Sequence, residues 1–319
     1  ALICPLNTRI KGGGYTYAIE LKKLLETFGH SIDIFDLKIH KNMYKLCEYD
    51  IVHLTTMSEN GTKRQYKENV QSKLYNLHTV VKYYITIHSL FADFKNRLSS
   101  GHMIENAQAL IATSETNKLE LKQRFGKNVY KIGIPFSPFE IEQPKYRNKI
   151  VCLSRFYPGK RTKEFFRMAK MMPEYEFHFS GTIFDDNGKV IGGLGAQYHY
   201  KACKELIDEA GNIILHNDKK DIKEVLNGAL FAVDFSEHDD TDRPQYTTLE
   251  ALSAGVVPII HPLFSGKLTD YKQVLTAEVA EEAVMKCKKI RNYHEIVGLG
   301  KEYLEEYISN TNDELKQIY

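Results

Sequence analysis

Cysteine is scarce in this sequence, and the cysteines that do occur are scattered. Five are spread over 319 residues, an odd number, and no two of them form a CxxC pair. A disulfide framework needs paired cysteines and a structural zinc site needs closely spaced ones, so the sequence predicts neither. We expect reduced thiols, as in a cytoplasmic protein.

Long apolar runs and a strong charge excess are also missing. No run approaches the roughly 18 residues of a membrane-spanning helix, and no signal peptide is recognisable. We therefore expect a soluble protein without a membrane partner. The formal net charge is only +2, which argues against general binding of polyanions by the whole molecule and leaves local basic patches open.

Short apolar runs alternate with amphipathic segments from end to end. This alternation is typical of parallel sheets covered by helices, and at roughly 100 to 200 residues per domain the chain length indicates two domains. We therefore predict an α/β protein with two doubly wound, Rossmann-like domains. The predicted strands are residues 2–6, 32–35, 51–54, 80–87, 109–112, 129–132, 150–153, 176–179, 213–215, 230–235 and 256–260. The predicted helices are residues 15–28, 63–77, 162–171, 198–210, 219–226 and 246–254.

A proline-containing segment, IPFSPFEIEQPKYRN at residues 134–148, separates the two halves. We place the first domain at 1–140 and the second at 141–300, facing each other across a cleft, because such sheets bind ligands at the carboxyl ends of their strands. Residues 277–319 are expected to be helical with a break around Gly298 and Gly300, and a last helix, 301–319, is expected to pack on the first domain.

One glycine-rich stretch, DDNGKVIGGLGAQYH at residues 185–199, lies between a predicted strand and a predicted helix. The composition predicts a long mobile loop. A plain surface insertion and an active-site flap are both consistent with it.

Glycines at 12–14 follow the first predicted strand and precede a helix. Their backbone can pass close to a ligand, and the amides of a helix start attract anions or sugar oxygens, so Gly13 and Gly14 are candidate binding residues. A tight turn without a ligand is the alternative. The dinucleotide fingerprint GxGxxG is absent, which disfavours a nicotinamide dehydrogenase.

The run SRFYPGKRTKEFF, 154–166, occupies the same topological place in the second half. Arg155 and Lys160 flank a Pro-Gly turn directly after a strand, and a helix begins near Thr162, so both cations could bind a diphosphate over the strand end. A solvated basic turn is the alternative.

Glu250 is a carboxylate in the otherwise apolar helix of RPQYTTLEALSAGVVPII, 243–260. It could complement the helix dipole without any ligand. It could also accept two hydrogen bonds from the vicinal hydroxyls of a ribose. The polar loop before the helix, SEHDDTDRPQ, favours the ribose because it directs the helix start toward the expected cleft.

Together, SRFYPGKRTKEFF, the strand ending in DFSEHDD, and YTTLEALSAGVVPII resemble the donor-binding half of retaining, nucleotide-sugar GT-B glycosyltransferases. The resemblance implies that Arg155 and Lys160 hold the donor diphosphate and that Glu250 holds the ribose, with Tyr246 and Thr247 at the start of the same helix. Asp242 stands where the family has a sugar-binding Glu.

The segments LICPLNTRIKGGGYTYAIELKKLLETFGHSIDIF, IHSLFADFKNRLSS and YTTLEALSAGVVPIIHPLFSGKL are similar to DNA α-glucosyltransferases of T-even bacteriophages. This resemblance implies transfer from a UDP-sugar, UDP-glucose or related, to 5-hydroxymethylcytosine in double-stranded DNA, with retention. It also implies a monomer in the cytoplasm of the infected bacterium, no tightly bound cofactor and no divalent metal.

His88 follows a strand of the first half, in the segment that the resemblance places beside the acceptor. A structural histidine is common at strand ends, but this one could orient or deprotonate a hydroxymethyl group. Ser89 stands where an acid would be expected. In retaining transfer the donor phosphate itself is expected to accept the acceptor proton.

Basic and aromatic residues of the first half could contact DNA, with ordinary solvated surface and core packing as alternatives. The target base would have to leave the duplex to reach a buried cleft. The basic candidates are Lys38, His40, Lys41, Lys45, Lys63, Arg64, Lys67, Lys95 and Arg97. The aromatic candidates for stacking are Tyr15, Tyr17, Phe91 and Phe94.

Two other functions remain open at this level. The acceptor could be a surface glycan or a small molecule instead of DNA. The protein could also be a nucleotide-sugar or DNA-binding protein without catalysis, because Asp242 replaces the usual Glu.

Overall fold

In the computed structural model, the chain is described at residues 2–3, 13–35, 43–55, 77–79, 81–88, 103–141, 148–181, 183–185, 188–191, 193–217, 221–236, 243–264 and 266–319. It divides into two compact units. The first comprises Ala1–Ser137 and Ile308–Tyr319, and the second comprises Pro138–Tyr307.

The first unit contains a six-stranded parallel sheet with the order β2-β1-β3-β4-β5-β6. Its central strands are almost continuously buried, as is usual for parallel strands that are covered on both faces. The order changes direction at β1, because β2 and β3 pair with opposite sides of it. The strands are β1 (Leu2–Ile3), β2 (Ile34–Phe35), β3 (Val52–Leu54), β4 (Tyr83–Ile87), β5 (Ala109–Ala112) and β6 (Val129–Lys131).

Helices α1 (Gly13–Thr27) and α2 (Glu115–Phe125) lie in the described part of the first unit. Helix α1 buries Tyr17, Leu21 and Leu25 completely, which is the spacing of one helix face. Helix α2 is delimited by caps: the side chain of Ser114 accepts from the Asn117 amide at 3.1 Å, and Gly126 ends the helix in the left-handed region with φ 62°.

The second unit contains a second six-stranded parallel sheet, with the order β12-β11-β10-β7-β8-β9. Strand β7 pairs with β8 on one side and with β10 on the other. The order therefore changes direction at β7, and ligands of such sheets bind at the carboxyl end of that switch strand. The strands are β7 (Lys149–Leu153), β8 (Glu176–Ser180), β9 (Ile213–His216), β10 (Phe231–Asp234), β11 (Val257–Ile260) and β12 (Leu275–Thr276).

Helices of the second unit connect these strands and pack on an aromatic core. Phe165 of one helix lies 5.3 Å, centroid to centroid, from Phe177 of β8, and Phe166 lies 5.7 Å from Phe179. Full burial of each ring contributes roughly 1.5–3 kcal/mol. The helices are α3 (Thr162–Met171), α4 (Gly193–Ala210), α5 (Ile222–Leu226), α6 (Tyr246–Ser253), α7 (Ala280–Lys289) and α8 (Tyr293–Lys316).

The prediction of two doubly wound parallel sheets is confirmed. Each predicted strand run overlaps a strand. The predicted helix at 63–77 falls almost wholly outside the described residues. None of the helices in the described ranges is both long and apolar enough to cross a bilayer.

The predicted break around Gly298 and Gly300 is wrong, because α8 runs through both glycines. A Cβ added to Gly300 would lie 2.7 Å from Cδ2 of Leu252. Glycine at this position therefore allows α8 to pack closely against α6. The chain turns earlier, at Ile290, where φ −58° and ψ 128° end α7.

The prediction of one long loop at 185–199 is also wrong over its second half. Helix α4 begins at Gly193, and Phe184 forms an antiparallel bridge with Val190. A glycine-rich stretch can still form a helix when tertiary packing stabilises its first turns. Here the buried side chain of Ala196 provides that packing.

The proline-containing segment between the halves is anchored where it is described. The Ser137 amide donates to the Glu20 carboxylate at 2.8 Å. The Ser253 hydroxyl of α6 accepts from the Phe139 amide and donates to the Phe139 carbonyl, both at 2.6 Å. The chain therefore enters the second unit at the end of α6.

A buried histidine makes the stability of the first unit depend on pH. His53 lies within β3, with Nε2 2.6 Å from the Thr86 hydroxyl and Nδ1 beside the Tyr319 hydroxyl. Burial, with a smaller contribution from His88, lowers the pKa of His53 to about 3. The unfolded chain, whose His titrates near 6.5, then binds a proton that the folded chain does not.

We expect the free energy of unfolding to fall as the pH drops from about 6.5 toward 3, by about 1.4 kcal/mol per pH unit from this one group. Urea unfolding at several pH values between 7 and 5 would measure the slope. His53→Gln should reduce this slope by the contribution of one proton, because glutamine does not titrate. Identical slopes for the two proteins would contradict the assignment.

Candidate functional site

The segment after the switch strand β7 places two cations at the carboxyl edge of the second sheet. Arg155 is exposed, and Lys160 ends a 3₁₀ helix, Pro158–Lys160. Arg161 follows with φ 46°, a left-handed conformation that is costly for a residue with a side chain. That conformation starts α3 immediately, so the cations and the positive end of the α3 dipole share one edge.

Lys160 connects this segment to the start of α6. Its ammonium donates to the side-chain oxygen of Gln245 at 3.0 Å, and Gln245 is the N-cap residue of α6. An ammonium has three donor hydrogens, and this bond uses one. Two motifs 85 residues apart in sequence are thus brought together.

Glu250 is buried in α6, with only 8% of its surface exposed. The first turn of the helix contains no acidic residue, so Glu250 lies beyond the position where a carboxylate chiefly serves the dipole. The position therefore argues against helix capping as its main role.

Asp234 fastens the start of α6 to the end of β10. One of its carboxylate oxygens accepts from the Ser236 amide at 2.9 Å and from the Ser236 hydroxyl, and the other accepts from the Thr247 hydroxyl at 2.8 Å. The hydroxyl of Thr247 thus donates its hydrogen bond within the protein. The sequence did not point to Asp234, although an acid at the end of a buried strand is a recognisable signal.

The turn after β8 lies directly on the turn after β7. A Cβ added to Gly181 would lie 1.8 Å from the Ser154 carbonyl oxygen, a separation that atoms cannot adopt. The Ser154 amide also donates to the Ser180 carbonyl at 3.1 Å. Gly181 therefore sets the path of the backbone immediately before Arg155.

We expect Gly181→Ala to lower the free energy of unfolding by roughly 1–3 kcal/mol, as other forced overpacking does. Gly195→Ala is the matched control, because a Cβ at Gly195 meets nothing within 4 Å and alanine favours a helix. Thermal unfolding of both variants measures the difference. Equal melting temperatures would show that Ser154 moves aside without cost.

Helix α4 packs against the start of α3. The His199 Nε2 lies 2.7 Å from the Thr162 hydroxyl, and the His199 ring lies 4.9 Å from the ring of Phe156. Burial, and secondly the charge of Lys163, lower the pKa of His199. A neutral imidazole thus fixes the first residue of α3, a contact that no local pattern indicates.

In the first unit, His88 follows β4. Its Nε2 lies 2.7 Å from the Thr55 carbonyl oxygen, so this nitrogen carries a proton and donates it to the carbonyl. Tyr17 contacts the ring edge to face at 4.6 Å. Because Tyr17 is fully buried, it packs in the core and is not exposed for stacking on a base.

Gly13 and Gly14 are the first residues of α1, which follows the switch strand β1. Tyr246 and Tyr15 are half-buried, and Lys45 is exposed. The remaining candidates lie outside the described residues: Asp242, Lys38, His40, Lys41, Lys63, Arg64, Lys67, Ser89, Phe91, Phe94, Lys95 and Arg97.

The described part of the chain contains no cluster of three or more His, Cys, Asp or Glu side chains that could hold a metal ion. The buried cysteines Cys152, Cys203 and Cys287 are free thiols. Burial raises the pKa of the Cys203 and Cys287 thiols to about 12, so these two are not nucleophiles at neutral pH.

No protein-family model and no curated protein matches the sequence. Solved structures match the fold along the whole chain. Anabaena HepE in complex with UDP has a TM-score of 0.70 at 12% identity, covering 99% of this chain and 98% of that chain. An α-glucosyltransferase in complex with UDP and a 13-mer DNA containing an HMU base has a TM-score of 0.70 at 14% identity, with coverage of 99% and 98%.

Sucrose-phosphate synthase from Thermosynechococcus elongatus is similar to the same extent, with a TM-score of 0.69 at 13% identity and coverage of 100% and 97%. At these identities the likeness concerns the fold. The chain has the GT-B fold, as the sequence resemblance implied.

Proposed function

We propose that the protein is a glycosyltransferase that moves a sugar from a UDP-sugar, such as UDP-glucose, to 5-hydroxymethylcytosine in DNA, with retention at the anomeric carbon. The hydrogen bond from Lys160 to Gln245 carries the proposal, because it joins the cationic segment after the switch strand to the helix that holds Glu250. The GT-B fold, shared with proteins solved with UDP, supports the same donor.

Arg155 and Lys160 are the proposed ligands of the donor diphosphate. As the bond between the anomeric carbon and the phosphate oxygen breaks, negative charge accumulates on the departing UDP. Fixed cations and the start of α3 stabilise that charge more than they stabilise the intact donor, and such differential stabilisation is catalytic. His199 keeps the start of α3 in place.

Glu250 is the proposed ligand of the ribose hydroxyls, with Tyr246 beside it one turn earlier. A carboxylate accepts two hydrogen bonds from a vicinal diol. Thr247 is assigned to the same site through the Asp234 contact that positions the helix start. Asp242 stays a proposed ligand of the transferred sugar, and Gly13 and Gly14 stay proposed backbone contacts of the donor.

His88 is the proposed acceptor residue. The contact with the Thr55 carbonyl fixes the orientation of its ring, so the side chain can orient the hydroxymethyl group for attack. The hydroxymethyl oxygen forms the new glycosidic bond while its proton passes to the departing phosphate. Positioning and charge stabilisation are then the main duties of the protein.

The DNA acceptor is supported by the sequence resemblance and by one similar structure that holds a modified DNA. The name of another similar protein, sucrose-phosphate synthase, favours the second candidate, a glycan or small-molecule acceptor. One experiment separates these two acceptors.

The enzyme is incubated with UDP-glucose, and in parallel with other UDP-sugars, together with duplex DNA containing hydroxymethylcytosine. Mass spectrometry of the digested nucleosides should show the sugar on hydroxymethylcytosine and none on a matched duplex with plain cytosine. Release of UDP without any nucleoside product would remove the DNA acceptor and favour the second candidate. No release of UDP with any acceptor would contradict the proposed transferase activity.

A further inference from the structure

Two buried polar side chains lie at the carboxyl edge of the first sheet, close to His88. Strands β4 and β5 are parallel neighbours, and their last residues, Ile87 and Ala112, are register partners. The chain therefore leaves the two strands side by side, with His88 after β4 and Thr113 after β5. Thr113 and Asn117, the latter in the first turn of α2, are both buried. Polar groups thus gather where the proposed acceptor residue stands.

The side chain of Asn117 is oriented by the backbone of His88. Its Nδ2 donates to the His88 carbonyl oxygen at 3.4 Å, and its backbone amide donates to the Ser114 hydroxyl at 3.1 Å. Exchanging the two ends of the carboxamide would set two oxygens against each other, so the nitrogen faces His88 and the oxygen Oδ1 faces elsewhere. The imidazole of His88 is itself held by the Thr55 carbonyl.

The carboxamide oxygen of Asn117 is shielded from water, and no group in the described ranges donates to it. Within the same ranges the buried Thr113 hydroxyl has no hydrogen-bond partner either. Buried polar atoms nearly always have partners, because the desolvation of an unpaired one is not offset. Two such atoms at the start of one helix therefore indicate that a ligand supplies the partners. For Asn117 Oδ1, which is an acceptor, that ligand must provide an N–H or O–H donor.

Resting on the proposed function, we infer that Asn117 recognises the acceptor base by accepting a hydrogen bond from the exocyclic amino group of cytosine. In 5-hydroxymethylcytosine this amino group is on C4, next to the ring carbon that carries the hydroxymethyl group. A site that orients the hydroxymethyl group through His88 therefore brings the amino group to a neighbour of His88, and Asn117 is bonded to that residue. Side-chain rearrangement is common when a partner binds, and entry of the flipped base has to uncover this oxygen.

This contact would make Asn117 the residue that distinguishes cytosine from uracil. 5-Hydroxymethyluracil has the same hydroxymethyl group but carries a carbonyl oxygen on C4, which cannot donate a hydrogen bond. With that base, two acceptor oxygens would face each other and the buried carboxamide would stay unpaired. Sites that leave a buried polar group unpaired with the wrong ligand discriminate strongly against it.

The test compares initial rates of sugar transfer to two duplexes of one sequence that differ only in the hydroxymethylated base. For the unchanged protein, kcat/KM should be about tenfold or more higher with hydroxymethylcytosine than with hydroxymethyluracil. Asn117→Leu, which has a similar size and no polar atom, should make the two values nearly equal, and Asn117→Ala removes the same oxygen and should do the same. Thr116→Ala is the matched control, because Thr116 is exposed in the same turn, and it should keep the preference.

The ratio of the two values separates recognition from positioning, because loss of the bond to His88 alone would lower transfer to both bases alike. A variant of Asn117 that is active and keeps the preference refutes the inference and leaves the proposed function standing. Equal use of both duplexes by the unchanged protein does the same, and this measurement does not depend on the folding of any variant. If UDP-glucose is hydrolysed but neither duplex is modified, the DNA acceptor and the inference both fall.

Discussion

Replacement of Lys160 by alanine is expected to lower kcat for sugar transfer by about a hundred- to a thousandfold at saturating donor, the usual loss when one stabiliser of developing charge is removed. The ammonium sits at the carboxyl end of the switch strand and reaches the start of α6. Under the proposed function, it neutralises charge on the departing UDP. Folding should be preserved, because Lys160 lies outside the hydrophobic core.

Initial rates at saturating UDP-sugar measure this effect. Lys272→Ala, which removes an exposed lysine of the same unit, is the control and should be fully active. Gln245→Ala removes only the partner that positions Lys160, so we expect a smaller loss. Full activity of Lys160→Ala at saturating UDP-sugar would contradict the proposal that Lys160 binds the diphosphate.

Replacement of Glu250 by alanine is expected to weaken UDP binding by about ten- to a hundredfold, as loss of hydrogen bonds to a charged group does. Glu250→Gln keeps the shape and one acceptor oxygen, so its loss should be smaller. Calorimetric titration with UDP gives the dissociation constants. Because Glu250 is buried, thermal unfolding of each variant is measured alongside.

Inorganic pyrophosphate is the matched ligand for this test because it lacks a ribose. Glu250→Ala should bind pyrophosphate as the unchanged protein does, whereas Lys160→Ala should bind both ligands more weakly. An unaltered affinity of Glu250→Ala for UDP would contradict the ribose assignment. A parallel loss for UDP and pyrophosphate would instead indicate that the change disturbs α6 as a whole.

The elements that sequence reasoning located well are those whose own pattern is strong. Strand β5 and helix α3 have the predicted bounds, because a buried parallel strand is a continuous apolar run and α3 buries one clear face. Strand β12 is only two residues long and has no pattern to detect. Helix α2 was not predicted, since it buries only Asn117 and Leu121, although its caps, Ser114 and Gly126, are readable signals.

Residues that act through distant contacts could not be predicted in the same way. The sequence pattern predicts a helix break at Gly300. The structure shows instead that a glycine is needed there because Leu252 lies against it. The order of residues along the chain predicts that Lys160 follows a strand. It does not predict the hydrogen bond from Lys160 to Gln245. Gly181 and His199 likewise matter only through Ser154 and Thr162, which are far away in the sequence.

Helix α8 belongs to both compact units, since the division falls at 307/308 within it. Its last turns supply Glu314, whose carboxylate accepts from the Lys131 ammonium and from the Gly133 amide. A gene cut once, between the codons for 137 and 138, would yield a first fragment that lacks these contacts. Reconstitution from two separately expressed pieces therefore requires the second piece to return residues 308–319 to the first, whereas a circular permutant that joins 319 to 1 would keep them in one polypeptide.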